Sequence, residues 1–163
     1  MDPASSNRRP QEQPLDALDR RIIDALAADG RRPLVRIASE LGVSESSIRN
    51  RVNRLLAGGV MQIVAATNPL KLGYGVMSMI GLRVEPGRLG EVSAALDALE
   101  EVTYLIACTG RYDLMAEVVC RDNRHLLELL SERMGAVAGV RSTETLGVLA
   151  VLKESYRTSL ADG

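Results

Sequence analysis

Residues 31–60, RRPLVRIASELGVSESSIRNRVNRLLAGGV, decide how the chain is read. Pro33 suits the first turn of a helix, where its missing N–H is not needed, and Leu34, Ile37, Ala38 and Leu41 then share one stripe. Gly42 stops that helix, Val43 is an apolar pivot, and Ser44 can cap a second helix by accepting one of its free N–H groups. On the second helix Ile48, Val52 and Leu55 face inward. Ser46, Asn50, Asn53 and Arg54 point away, with Ser47 and Arg49 on the flanks. Arginine can grip guanine, asparagine can grip adenine, and serine can reach phosphates or base edges. Ser44, Ser46, Ser47, Arg49, Asn50, Asn53 and Arg54 are therefore candidate contacts to double-stranded DNA. A polar outer face also occurs on any solvated amphipathic helix, so the face alone decides nothing. The whole unit says more: two helices joined by Leu41-Gly42-Val43-Ser44, the second without acids after Glu45, have the form of a helix-turn-helix.

Working outward, a preceding helix is expected at about 16–28, capped by Asp16, with Asp19 in its first turn and Leu18, Ile22, Ile23 and Leu26 as its buried stripe. Three helices over 15–60 then form a small winged-helix-like domain whose core is thin enough to lean on a partner or on the rest of the chain. Residues 1–14 hold three prolines and no apolar period, and are expected to be a disordered tail; 156–163 are expected to be a C-terminal tail. After Gly58-Gly59, residues 61–74 read as a linker strand and turn ending in Asn68-Pro69 and Gly73.

From 75 to 155 the pattern becomes β-α-β-β-α-β, the order of a ferredoxin-like domain, so the fold class is α+β. Strands are expected at 76–85, 102–110, 112–120 and 140–152. Helices are expected at 88–99, with Leu89, Val92, Leu96 and Leu99 on one side, and at 122–135, burying Leu126, Leu127, Leu130 and Met134. If Gly110 pairs with Asp113, Arg111 and Tyr112 form a two-residue hairpin tip. One hairpin face then carries Leu105, Ala107, Leu114, Ala116, Val118 and Cys120 toward the helices. The other carries Tyr104, Ile106, Cys108, Met115, Glu117 and Val119, extended by Met77 and Met79, and is too apolar to stay wet. A sheet-to-sheet homodimer is the expected remedy.

Composition narrows the function classes. At 163 residues and 46% apolar content the chain can build real cores. The net charge of −1 hides an asymmetry: residues 15–60 hold eight arginines against six acids, whereas 61–163 hold ten basic and thirteen acidic residues. Neither a membrane-length apolar run nor a signal peptide is visible, which leads us to expect a cytoplasmic protein. In the hairpin register above, Cys108 and Cys120 lie about five residue steps apart, roughly 16 Å, too far to bond. His125 has no Cys or His at ligand spacing and reads as a solvent-facing histidine, and no metal or cofactor is expected. Paired carboxylates, an activated nucleophile and a phosphate loop are all missing from the pattern, which argues against an enzyme.

Taken in series, these pieces resemble the Lrp/AsnC family of feast/famine transcription regulators over about residues 15–155. The carriers are Leu15-Asp16 with Asp19, Asp29-Gly30-Arg31, Ile37-Ala38, Leu41-Gly42-Val43-Ser44, Arg51-Val52, Leu55 through Gly59-Val60, Asn68-Pro69, Leu72-Gly73, Thr109 to Asp113, Gly139-Val140 and Ser142 to Thr145. The resemblance implies dimers that assemble further, often to octamers, and an amino-acid effector bound between sensor domains. It nominates Thr109, Gly110, Arg111 and Asp113 on the hairpin turn, with Thr143 and Thr145 from the last strand of a neighbouring subunit. Asp113 can pair an ammonium, and the threonines or Arg111 can hold a carboxylate. Gly110 and Asp113 also read as nothing more than a good hairpin tip. The expected function is a sequence-specific regulator of transcription responsive to a small effector. The alternatives are a DNA-organising protein with little sequence preference and, on the precedent of other ferredoxin-like domains, a small-molecule enzyme.

Overall fold

Asp16 and Asp19 build the first helix from both sides of its start. The Asp16 carboxylate accepts the Asp19 N–H at 2.8 Å, and Asp19 returns the bond to the Asp16 N–H at 3.3 Å. The computed structural model describes residues 14–153, so the expectations for tails at 1–14 and 156–163 fall, apart from Pro14, outside the described residues. Helix α1 is Ala17–Ala28, α2 is Leu34–Leu41 and α3 is Glu45–Ala57. Pro33 stands one residue before α2 with extended backbone rather than inside its first turn. Gly42 ends α2 at φ 69, a left-handed conformation that costs a glycine nothing. Ile22, Leu26, Ile37, Ala38, Ile48, Val52 and Leu55 are buried together, with Leu18, Ile23, Leu34, Leu41 and Val43 packed against them. The 3.6-residue stripes of the sequence thus meet in one core.

The chain separates into two compact units, the second running Thr67–Lys153. Between the helices and the sheet the sequence predicts a strand, but residues 61–68 carry no regular structure, and Pro69–Leu72 form one 3₁₀ turn capped by Asn68. A strand exists only when its backbone groups find a ladder, and no described segment pairs with this one.

The second unit is a four-stranded sheet of β1 (Val76–Val84), β2 (Val102–Ala107), β3 (Leu114–Cys120) and β4 (Val140–Gly147). Its order is β2-β3-β1-β4 and every neighbour is antiparallel. Helix α4 (Leu89–Asp97) and α5 (Asn123–Glu128), the latter continued by a π turn over Leu129–Met134, supply the other layer. Ile80, Leu82, Val84, Leu114, Ala116, Val118 and Cys120 meet Val92, Leu96, Leu129 and Met134 in the core.

Three expectations are corrected here. Leu127 is exposed, and Leu129 takes its place in the core, because Leu126, Leu129 and Leu130 follow the helical spacing and the wider π turn then brings Met134 onto the same side. The last strand stops at Gly147, not 152: Val148 bonds to the carbonyl of Met77, and β1 begins at Val76, so later residues run out of partner. The ring of His125 is not solvent-facing. Its Nδ1 accepts the Arg121 N–H at 3.3 Å, and its Nε2 lies 2.9 Å from buried Glu101, to which Arg133 also bonds. Burial alone would raise the Glu101 carboxyl, but its own N–H, His125 and Arg133 outweigh that and hold it below its ordinary value.

The hairpin register differs by two residues from the expected one. Leu105 faces Ala116 and Ala107 faces Leu114, so the loop is Cys108–Asp113 rather than a two-residue tip. Asp113 makes its N–H bond to Leu82 of β1, and its carboxylate accepts the Val84 N–H at 2.8 Å; these ties take it out of the Gly110 pairing. An even slip keeps every side chain on its face, which is why Leu114, Ala116, Val118 and Cys120 are all buried toward the helices as the alternation requires. Cys108 now sits level with Asp113, seven residues along β3 from Cys120, about 24 Å at strand rise, and both thiols are free.

Candidate functional site

Helix α3 presents its polar side because its apolar side is committed. Ile48, Val52 and Leu55 are buried, and Ser46, Arg49, Asn50 and Asn53 are left exposed with Ser47 half-covered. Ser44 caps the helix, its hydroxyl accepting the Ser47 N–H at 3.3 Å and touching the Ser46 hydroxyl at 3.1 Å. Arg49 pairs with Glu45 one turn earlier at 2.5 Å. Both groups are exposed, so the pair is worth no more than about 1 kcal/mol and gives way to a better anion.

Arg54 has a different environment from the one the sequence suggests. Its guanidinium reaches both oxygens of Asp19 at 2.6 Å, and Arg51 adds bonds to Asp19 at 2.8 Å and to Asp16 at 2.6 Å. Asp19 is 1% exposed. A carboxylate so placed must be paired, and two arginines three residues apart on α3 supply the charge. The backbone N–H of Asp19, followed by Arg51, holds the Asp16 carboxyl below its ordinary value, and Asp16 followed by Asp19 raises Arg51. Arg54 is thus a tie between α1 and α3 rather than an unencumbered outward group. Arg51, outside the predicted contact set, shares that duty. The available signal was the Asp16-Asp19 pair, since an acid at the third position of a buried helix start needs a cation. Ser47, Asn50, Arg51 and Arg54 line a shallow, open hollow of about 320 Å³ on this side of the helix.

In the sheet unit the loop brings Thr109, Gly110, Arg111 and Asp113 together. Gly110 has φ 117 and needs to be a glycine. Thr143 and Thr145 sit on β4 opposite Leu82 and Ile80. They therefore share the face of those residues, whereas Glu144 between them looks to the other face. It is Glu144 that meets the loop within one chain: Arg111 Nη2 lies 2.9 Å and Tyr112 Oη 2.5 Å from the same Glu144 oxygen, Oε2. The Arg111 guanidinium is 5.5 Å from the Tyr112 ring centre, within cation–π range. Glu144 and then burial raise the phenol of Tyr112 above its ordinary value, against the opposing charge of Arg111.

Tyr112, Glu144 and Gly81 were not among the site residues nominated from the sequence. A glycine inside an apolar strand was the available hint, because it marks a place where something approaches the backbone. Among the described residues no cluster of three or more His, Cys, Asp or Glu could hold a metal ion, and no helix is long and apolar enough to cross a membrane.

Residues 15–56 match the family model of the AsnC-type helix-turn-helix domain, and residues 77–158 match that of the Lrp/AsnC ligand binding domain. An uncharacterized HTH-type transcriptional regulator of Pyrococcus furiosus is 41% identical over 143 residues, which span 87% of this chain and 97% of that protein. The solved leucine response regulatory protein LrpA of Mycobacterium tuberculosis has a TM-score of 0.83 to this chain at 30% identity, covering 90% of this chain and 100% of that one. A transcriptional regulator from Neisseria meningitidis, solved as a complex with L-Met, shares the fold at 23% identity with a TM-score of 0.77, over 91% and 97% of the two chains.

Proposed function

The chain belongs to the Lrp/AsnC family of transcriptional regulators, and from that premise we propose that it reads a specific DNA site through α3 and answers to a small zwitterion, an amino acid, at the Cys108–Asp113 loop. Its relatives and both of its domains are those of regulators, not of enzymes. The observation that carries the DNA half is the exposed row Ser46, Arg49, Asn50 and Asn53, free of acids beyond Glu45 and set beside the hollow over Arg51 and Arg54. Asparagine supplies base reading and Arg49 supplies a phosphate contact. Arg54 enters this account as the group that holds α3 on α1, its charge shared with Asp19.

The effector half is supported by the polar loop, in which Asp113 spends Oδ2 on Val84 and keeps Oδ1 for a ligand ammonium. The structural neighbour solved with L-Met supports an amino acid as the ligand class. Oligomers follow from the sheet face carrying Met77, Met79, Tyr104, Ile106 and Leu146, of which Tyr104 is 57% and Leu146 44% exposed. A second copy laid sheet to sheet removes that surface from water, and such dimers assembling to an octamer would multiply the arginine-bearing helices along one duplex.

The test measures binding of the full chain to fragments from its own upstream region against random duplex at fixed salt. Asn50→Ala should narrow the gap between the two by about 1–3 kcal/mol. An unchanged gap sinks the assignment of α3 to the groove. Calorimetry with single amino acids, using Asp113→Ala beside the parent, addresses the loop in the same way.

A further inference from the structure

Gly81 lies in the middle of the nine-residue strand β1, paired with Met115 of β3 on one side and Glu144 of β4 on the other. Interior glycine weakens a strand, so its presence calls for a reason. A Cβ built there would lie 2.7 Å from Tyr112 Cδ1 and 2.8 Å from its Cγ and Cε1. Real carbons do not approach so closely, and these three atoms belong to a ring rather than to the mobile end of a flexible chain. The Tyr112 ring therefore rests flat on the Gly81 backbone. From there it crosses β1, and its hydroxyl ends on Glu144 of β4 at 2.5 Å, beside the Arg111 guanidinium.

We propose that Tyr112 is the positioning residue of the effector loop: its ring, strapped over Gly81 and fastened to Glu144, sets the pose in which Arg111 and Asp113 meet a ligand. The proposal rests on the reading of the Cys108–Asp113 loop as the effector site. Without the strap, the loop keeps the ties of Asp113 to Leu82, Val84 and Cys108 at its base and the exposed Arg111–Glu144 pair, and no ring holds Thr109–Tyr112 down on β1. The strap also joins the loop to two other parts of the unit. It occupies the sheet face that carries Met77, Met79 and Met115, and it ends on β4, whose adjacent Thr143 and Thr145 look the other way. A ligand that draws Arg111 or Tyr112 from Glu144 would thereby alter the face offered to a second copy.

The experiment compares hydrogen exchange of peptides spanning 108–113 in the full-length protein and in Tyr112→Phe, Tyr112→Ala, Gly81→Ala and the Gly81→Ala/Tyr112→Ala double variant, with β3 peptides as the internal control. Tyr112→Phe should speed loop exchange by about tenfold, the factor set by losing one charge-assisted hydrogen bond, with β3 unchanged. Gly81→Ala should speed it further, by expelling the ring. The double variant should match Tyr112→Ala alone, because the added methyl then has nothing to displace. Unchanged loop exchange in Tyr112→Ala, or costs that simply add in the double variant, overturns the proposal. Should Gly81→Ala not fold, Tyr112→Phe decides by itself, since it removes one oxygen and leaves the ring.

A spectroscopic arm follows the phenol. Glu144→Gln should move the Tyr112 phenol titration, identified in the near-ultraviolet by its loss in Tyr112→Phe, down toward the ordinary phenol range, and no movement counts against the strap. A ligand arm separates the two readings, using the proteinogenic L-amino acids one at a time. If one binds the parent, Tyr112→Phe should weaken it about tenfold, and equal affinity refutes the positioning role. If none binds the parent, the effector reading of the loop fails, and with it the ligand side of this proposal, while loop exchange still reports on the strap.

Discussion

Asp19→Ala puts the helical unit to its severest single test. The carboxylate is 1% exposed and accepts from Arg51, from Arg54 at both oxygens, and from the Asp16 N–H. Hydrogen bonds to a charged group contribute about 1.5–3 kcal/mol each where they are buried. That range must be discounted, because the Arg51 and Arg54 side chains are 28% and 45% exposed and water takes up part of the lost interaction. Arg51 also keeps its bond to Asp16. The lost half of the capping box adds about 0.5 kcal/mol, and the relief of desolvating a carboxylate works the other way. The net loss comes to roughly 2–4 kcal/mol, against a total of about 3–5 kcal/mol for a core this small. At the middle of both ranges about 1 kcal/mol remains, so the unit stays mostly folded but opens about a hundredfold more often than in the parent. Far-ultraviolet circular dichroism, together with hydrogen exchange on α1 and α3 peptides, reads this directly, with β1 and β3 peptides as a reference. Asp19→Asn keeps the shape and the capping oxygen, so it should cost about half as much. DNA affinity should fall with the folded fraction, although Asp19 offers nothing to a duplex. If α1 and α3 keep parental protection to within about 0.5 kcal/mol in Asp19→Ala, the ion cluster contributes nothing and the reasoning is wrong.

Three further outcomes are expected. Glu101 has its folded pKa held below the ordinary value, so its contribution is present in full at neutral pH and is lost as the pH falls through the folded value; denaturant midpoints should show an acid limb that begins near the ordinary glutamate value of about 4.3 and continues below it, and Glu101→Gln should flatten it. Leu129→Ala should cost about 2–5 kcal/mol by leaving a cavity in the sheet core, whereas Leu127→Ala, at a position 64% exposed, should stay within about 0.5 kcal/mol in the same melts. Arg49→Ala should weaken all duplexes alike and lower the salt slope by about one in titrations at several ionic strengths, with the fold intact, because its bond to Glu45 is an exposed one.

The candidate site was legible to different depths in its two halves. Ser44, Ser46, Arg49 and Asn50 come straight from the wheel, since helix spacing assigns sides without knowledge of the neighbour. Arg54 falls on the same outer side of that wheel, and only its partner 35 residues earlier claims it for the interior cluster. The loop was found through its resemblance to a family, but Tyr112 and Glu144, 32 residues apart, carry no mutual signal along the chain.

Local physics settles what a sequence can state unaided. Caps at Asp16 and Ser44, the stops at Gly42 and Gly59, the three apolar stripes and the inward row of the hairpin all follow from bonds and periods a few residues long. Even a mistaken hairpin register left the inward row intact, because a slip of two returns each side chain to its own face. What tertiary structure alone decided is where alternatives of equal local merit were broken by distant groups. Asp113 gave up its turn partner for the backbone of β1, a π turn brought Met134 to the side of Leu129, β4 ended where β1 ran out, and residues 61–68 stayed irregular without a strand beside them. Each of those choices depends on a hydrogen-bond or packing partner that the chain supplies only once it has folded.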